Sequence, residues 1–400
     1  MDQKIWRSFA ATHHFFFEEN RHVLCLTSLI KDFSFLGCEN RVLIGVSTLR
    51  NSCFFTEYNY FDKDFTMDLT SYLQNYRGFT KIARCHFIAT TSTTENLSRT
   101  AYIECLQLLK ASKNSNLLQN VCLDAQKKFG SDEFPIDVEW IAKCEQSCKQ
   151  EHAQLSESMK KLKMAAIKEN IREAHNALGA LFISEGNLQG AVKAYHQNKD
   201  YSSSPQHTME FTEQMMVCAM DLGNWSSAMN SAVKLRHLAN ISSGASSSVS
   251  SSVGNNHDGT SNRLQVVQAG TAATQGLIEM RRGNYRAAAN WFISTGIHLG
   301  NQTFNTIIRL DDVALYGGLC ALATFERNEL DDHVLRDSNF REILEINPKV
   351  REMIAAFHES KYALGFQCLS EFIPIAKLDI RAFKIKKMKN VVNCVIYTRL

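Results

Sequence analysis

One short phrase recurs three times in this chain: Gly-Asn-apolar-x-x-Ala, as GNLQGA from Gly186, GNWSSA from Gly223 and GNYRAA from Gly283. Glycine enters the left-handed conformation that ends a helix at least cost, and asparagine can cap the helix that follows. Each phrase therefore predicts a corner between two antiparallel helices, with Leu188, Trp225 or Tyr285 closing the turn. A chain that repeats such a corner is built from stacked helix pairs, and few other folds can accommodate it.

The positions around the corners extend the pattern. Twelve residues before Ala191 and Ala288 stand Gly179 and Gly276, and four residues after them stand Tyr195 and Phe292. Glycine, alanine and an aromatic at these offsets form the tetratricopeptide signature, and Leu178-Gly179-x-x-Phe182 completes its first-helix half. By analogy with that repeat, Gly179 is expected to face Ala191. The middle copy is degenerate, with Met216 at the glycine position and Ala232 at the aromatic one.

The first two corner glycines are 37 residues apart and the next two 60. Between them lies the Ser-rich stretch 241–263, and removing its 23 residues restores a spacing of 37. That stretch reads as a flexible, disordered insertion between consecutive repeats. Its serines are also candidate phosphorylation sites, though a plain linker is the simpler reading.

The organisation expected from the N-terminus onward is as follows. Residues 1–66 are rich in Phe, Tyr and Cys without a sustained period, and read either as a small α+β appendage or, preferably, as a poorly ordered extension. Residues 67–164 form an N-terminal helical region in which Leu73, Tyr76, Phe79, Ile82 and Phe87 mark one stripe, broken at Gly78. A long polar helix over about 145–170 feeds the repeats of 165–310. Further helical repeats occupy 311–378, with a turn near Asn328 and a new helix opened by Asn347-Pro348. A basic tail, 379–400, includes Arg381, Lys384, Lys386, Lys387 and Lys389 just after Lys377. The fold class is all-α, a right-handed superhelix of tetratricopeptide-like helix pairs, and only four prolines in 400 residues agree with it.

Residues that could carry chemistry are sparse. No phosphate-binding loop, nucleophile elbow, H-E-x-x-H or H-x-H motif occurs. Cys144, Cys148 and His152 share a helical face but lack an evident fourth ligand, and the other cysteines are scattered as in a reducing compartment. His175 and His298 read as satisfied helix residues. The pairs Asp311-Asp312 and Asp331-Asp332 read as acids at helix starts. A net charge of +3 does not argue for nucleic acid, and the basic tail reads as a solvated chain end. No apolar run is long enough to cross a membrane. No catalytic, cofactor or metal site, no cofactor and no small-molecule substrate is implied. Extended surface for recognition or scaffolding is what helical repeats offer.

Four strings carry a family resemblance. They are VALYGGLCALATFERNEL (313–330), FREILEINPKVREMIAAFHESKYALGFQCLSEF (340–372), IREAHNALGALFISEGNLQGAVKAYHQNKDY (171–201) and NYRGFTKIARCHFIA (75–89). Over about 68–378 the chain resembles subunit 1 of the COP-nine (constitutive photomorphogenesis) signalosome, a paralogue of a subunit of the proteasome regulatory lid. The string at 316–325 is its most specific element and favours the signalosome over the lid. The resemblance implies a non-catalytic scaffold in the cytoplasm and nucleus. Its partners would be the other signalosome subunits and, through them, cullin-RING ubiquitin ligases. A separate metalloprotease subunit of that assembly removes the ubiquitin-like modifier from cullins. The resemblance also implies a PCI module, of which the helical part is legible here. The winged helix that should follow is not read after about residue 379, as in a truncated isoform or an incomplete gene model. The alternatives are a proteasome-lid scaffold subunit or a free helical-repeat adaptor that binds peptides.

Overall fold

The corner glycines all take positive φ, 79° at Gly186, 71° at Gly223 and 87° at Gly283. Each corner closes with the same two bonds. Asn187 N–H donates to the Phe182 carbonyl at 2.8 Å and Gly186 N–H to that of Ile183 at 3.0 Å, and the other corners repeat the pattern. This is the Schellman arrangement, which satisfies carbonyls that a helix end leaves open. Asn187 and Asn224 then cap the next helix, their Oδ1 atoms accepting from Gly190 N–H at 2.9 Å and Ser227 N–H at 3.1 Å. Asn284 departs from the expectation: its side-chain amide donates to Glu279 Oε2 at 2.7 Å instead. Of the three turn residues only Leu188 is buried, while Trp225 and Tyr285 remain half-buried.

The computed structural model describes residues 42–46, 54–58, 68–74, 76–247, 257–300 and 304–380. The chain divides into two units, Met1–Lys63 with Asn393–Leu400, and Asp64–Val392. In the first, strands β1 (Val42–Val46) and β2 (Phe54–Tyr58) pair antiparallel, Val42 opposite Tyr58. The poorly ordered extension expected there is thus corrected for these two segments. Both are rich in β-branched and aromatic residues, which suit a pleated ribbon. The rest of 1–66 lies outside the described residues.

The second unit is all helical in its described residues. Its front consists of α1 (Leu69–Gln74), α2 (Gly78–Thr91), α3 (Glu95–Ala111), α4 (Ser115–Phe129) and α5 (Val138–Ala165). These share one core, in which Tyr102 meets Phe129 and Phe134 with ring centroids 6.0 Å away. The polar helix expected to run through residue 170 instead breaks at Ala166, which takes a φ of 55°. The helix pairs follow as α6 (Lys168–Ser184) with α7 (Leu188–Gln197), α8 (Pro205–Asp221) with α9 (Trp225–Ser247), and α10 (His257–Arg282) with α11 (Tyr285–Ile293). Each packs on the next, as a solenoid requires.

The disordered insertion of 241–263 also needs correction. Helix α9 runs on to Ser247 and α10 begins at His257, leaving 248–256 outside the described residues. Tertiary contacts hold the ends of these helices. Arg263 lies 3.8 Å from Glu213 and 3.9 Å from Glu210 on α8, and Gln268 donates to Asn240 across α9 and α10 at 3.2 Å. Beyond the pairs come α12 (Leu310–Thr324), α13 (Arg327–Leu330), α14 (Ser338–Ile346), α15 (Pro348–His358) and α16 (Tyr362–Leu378). Asn328 lies inside α13, which continues into a π turn at Asp331–Leu335, and not in the turn expected of it.

Packing within the pairs shows what the signature positions do. A Cβ on Gly179 would lie 2.5 Å from the Tyr195 ring, and one on Gly276 2.7 Å from the Phe292 ring. The glycine therefore makes room for the aromatic ring and not, as expected, for Ala191. Met216 and Ala232, at the same two positions of the middle pair, are both fully buried. There the large side chain has moved to the first helix and the small one to the second, which preserves the filled volume.

His175 on α6 is 1% exposed, and neither ring nitrogen has a hydrogen-bond partner among the described residues. It is not the satisfied helix residue expected; its ring stacks on Tyr201 with centroids 5.7 Å apart. Burial holds its pKa below the ordinary 6.5, with Lys163 adding to the effect. The unfolded chain therefore binds the proton more readily, and the stability contributed by neutral His175 is lost as pH falls below about 6.5. His175→Phe should remove this part of the acid sensitivity and raise stability at pH 7 by about 1 kcal/mol, measured by urea unfolding across pH 5 to 8. An unchanged pH dependence would show that His175 does not contribute to it.

Candidate functional site

The most constrained chemistry in the molecule joins its front to its last helices. Helix α2 buries the row Thr80, Arg84, Ile88, displaced from the stripe of Phe79, Ile82 and Phe87 that hydrophobicity suggested; those three are only half-buried. Arg84 is fully buried and sits among two carboxylates and three tyrosines. Its Nη2 donates to Asp312 Oδ2 at 2.9 Å, while Nη1 reaches Asp379 Oδ2 at 3.0 Å and donates to Tyr72 Oη at 2.6 Å. Tyr76 Oη donates to both Asp312 oxygens, at 2.7 and 2.8 Å, and Tyr316 Oη donates to Asp379. The guanidinium also lies over the Tyr76 ring, 4.2 Å from its centroid.

Each part has a local reason to be there. Gly78, with φ of 60°, ends the α1 corner and turns the chain into α2. Asp312 stands in the first turn of α12, where it also accepts the Arg309 N–H at 3.4 Å. It is therefore more than the acid at a helix start that its sequence position suggested. Asp379, expected in a solvated tail, is 3% exposed and belongs to the cluster. The side chain of Thr80 adds a bond from α2 to the carbonyl of Thr306.

The electrostatics follow from burial. Removal from water favours the neutral forms, so the Asp312 carboxyl and the Tyr76 and Tyr316 hydroxyls are all pushed up from their ordinary pKa values. Arg84 opposes this for each of them, and the two aspartates in turn hold Arg84 charged against its own desolvation. A charge sealed in this way is tolerated only when paired and hydrogen-bonded. The arrangement acts as a clasp, fixing α2 against α12 and the segment that follows α16.

Helix α12 carries the specific string at 316–325, and its residues from Asp312 to Leu322 are all buried. Its paired glycines explain how. A Cβ on Gly317 would stand 3.0 Å from Phe340 of α14, and one on Gly318 2.8 Å from Val350 of α15. The string is the surface of a central helix that neighbours approach on every side.

The other candidates serve packing. Cys144 Sγ lies 3.5 Å from the Lys113 carbonyl, Cys148 is buried, and His152 Nε2 bonds Glu185 at 2.9 Å, joining α5 to α6. Among the described residues no group of three or more His, Cys, Asp or Glu side chains is placed to hold a metal. His298 lies in the short 3-10 turn Ile297–Gly300. The tail from Arg381 onward lies outside the described residues. No described helix is long and apolar enough to cross a membrane.

The family model for the 26S proteasome subunit RPN7 matches residues 137–333. COP9 signalosome complex subunit 1 of Emericella nidulans is 31% identical over 314 residues, 78% of this chain and 59% of that protein. The Arabidopsis thaliana subunit 1 is 29% identical over 319 residues, again 78% of this chain and 66% of that protein. Over most of its length this chain is similar to COP9 signalosome subunit 1. Subunit 1b of Drosophila melanogaster adds 29% identity over 247 residues. The chain spans 59%, 66% and 44% of the lengths of these three relatives, less than two thirds of each. The lid-subunit match runs through 316–325, so the central helix that this string builds lies within architecture shared by signalosome and lid.

Proposed function

We propose that this chain is a non-catalytic scaffold subunit of the COP9 signalosome, present in cytoplasm and nucleus. In this reading it supports removal of the ubiquitin-like modifier from cullins by another subunit of the complex. Its direct partners are other signalosome subunits, and it reaches cullin-RING ligases through them. The observation that carries the reading is similarity to signalosome subunit 1 over 78% of the chain. The solenoid supports it, because stacked helix pairs bury one face and offer the rest as surface. The strongest ionic cluster supports it too, since its carboxylates are sealed and spent on holding helices together.

Affinity purification of a tagged chain from cell extract tests this directly. Signalosome subunits should co-purify in near-equal amounts, with cullins at lower yield. A chain that migrates alone near its own 45.3 kDa refutes the assembly. The match of residues 137–333 to the lid-subunit model favours one second reading, a scaffold of the proteasome regulatory lid. Recovery of proteasome subunits in place of signalosome subunits would establish it.

A further inference from the structure

A cleft of about 200 Å³ opens at the middle corner of the repeats. Its apolar wall is formed by Phe79 of α2, Met220 of α8, Leu277 and Met280 of α10, and Ile380. At its edge the Arg281 guanidinium lies over the Trp225 ring, 4.6 Å from the centroid. Arg281 has no carboxylate partner among the described residues, whereas the adjacent Arg282 pairs with Glu279 at 2.7 Å. Asp221, also in the wall, is itself engaged. An arginine placed over an indole can still present N–H groups to a carboxylate, so the cleft offers an apolar socket beside a positioned cation.

We infer that this cleft docks a segment of a partner protein in which an acidic residue stands beside a large apolar one. The volume is below that of ordinary small-molecule sites, roughly 300–1,000 Å³, and suits one inserted side chain. The chain's own continuation is a poor occupant. Residues 381–400, which follow Ile380 in the sequence, contain no Asp or Glu to meet Arg281. The inference is independent of which complex the chain joins.

The test uses the full chain and a panel of fluorescein-labelled decapeptides in a Gly-Ser background. Each peptide carries Glu or Asp followed by Leu, Ile, Met, Phe, Tyr or Trp. Control peptides replace the acid with Lys or the apolar residue with Ala. Fluorescence polarisation should show binding by members of the panel, with both controls at least about tenfold weaker. Arg281→Glu should lose the acidic peptides by a similar factor and Arg281→Lys should be intermediate, while Ala83→Trp, on α2 where Ala83 also lines the cleft, should weaken binding by filling the socket. Circular dichroism establishes that each variant is folded. The inference is overturned if no panel member binds below about 1 mM, if the Lys controls bind equally, or if binding to folded Arg281→Glu or Ala83→Trp is unchanged. Co-purification with signalosome or lid subunits would be unaffected by any of these outcomes.

Discussion

Arg84→Met is expected to destabilise the protein by about 3–5 kcal/mol, a large fraction of the stability of an ordinary domain. The substitution keeps much of the side-chain volume but removes the cation that bridges Asp312 and Asp379. Two carboxylates are then left in a space closed to water without the guanidinium that pairs with both, though hydrogen bonds such as those from Tyr76 and Tyr316 persist. The pH dependence identifies the cause. Asp312 already has a raised pKa, and losing Arg84 raises it further. The folded variant therefore holds a proton that the unfolded chain has released. Its stability is then greatest below the unfolded carboxylate pKa of about 4 and falls as pH rises through the folded value. Urea unfolding of both proteins between pH 4 and 8 measures this. A deficit that does not shrink toward pH 4 would mean that lost packing, and not unpaired charge, is responsible. Because the clasp ties α2 to the chain after α16, hydrogen exchange should also rise in α2 before it rises in the repeats.

The second large effect concerns the exchange of volume between repeats. Tyr195→Ala should cost about 3–5 kcal/mol through the cavity left beside Gly179. Gly179→Met should cost about 1–3 kcal/mol or more, because even a Cβ there would meet the Tyr195 ring at 2.5 Å. The double variant reproduces the Met216 and Ala232 arrangement of the middle pair, so the methionine should fill the space that the ring vacates. A double-mutant cycle is expected to show at least about 2 kcal/mol of favourable coupling, near the upper range for contacting residues. Additive losses would show that the two positions do not share one volume and that the middle repeat is merely degraded.

The comparison of these two sites shows what was legible in the residues alone. Corners announce themselves because their chemistry is local. Glycine at C′, the bonds from C′ and C″ back to the last turn, and the asparagine that follows lie within six residues, so their identities suffice to specify the geometry. The helix pairs are legible for a related reason, since the same offsets recur with each repeat. The contact of Gly179 is not legible in this way, because an offset states which positions correspond, not which side chains touch.

Arg84 was invisible for the opposite reason. It stands among apolar residues on α2 as a surface arginine would, and its partners Asp312 and Asp379 lie more than two hundred residues away. Asp312 is indistinguishable in sequence from any acid in a first helical turn, and Asp379 from the start of a polar tail. The string at 316–325 offered the nearest signal, with two glycines inside an apolar helix. Its tyrosine became part of the clasp only when folding brought α2 alongside. Fold class and the corners of the helix pairs were thus determined by the sequence itself, because helix ends and helix periods depend on near neighbours. Which polar residues are buried, and which end of the chain they secure, was decided by the tertiary structure, because a buried charge is specified by partners that only the stacked solenoid brings within 3 Å.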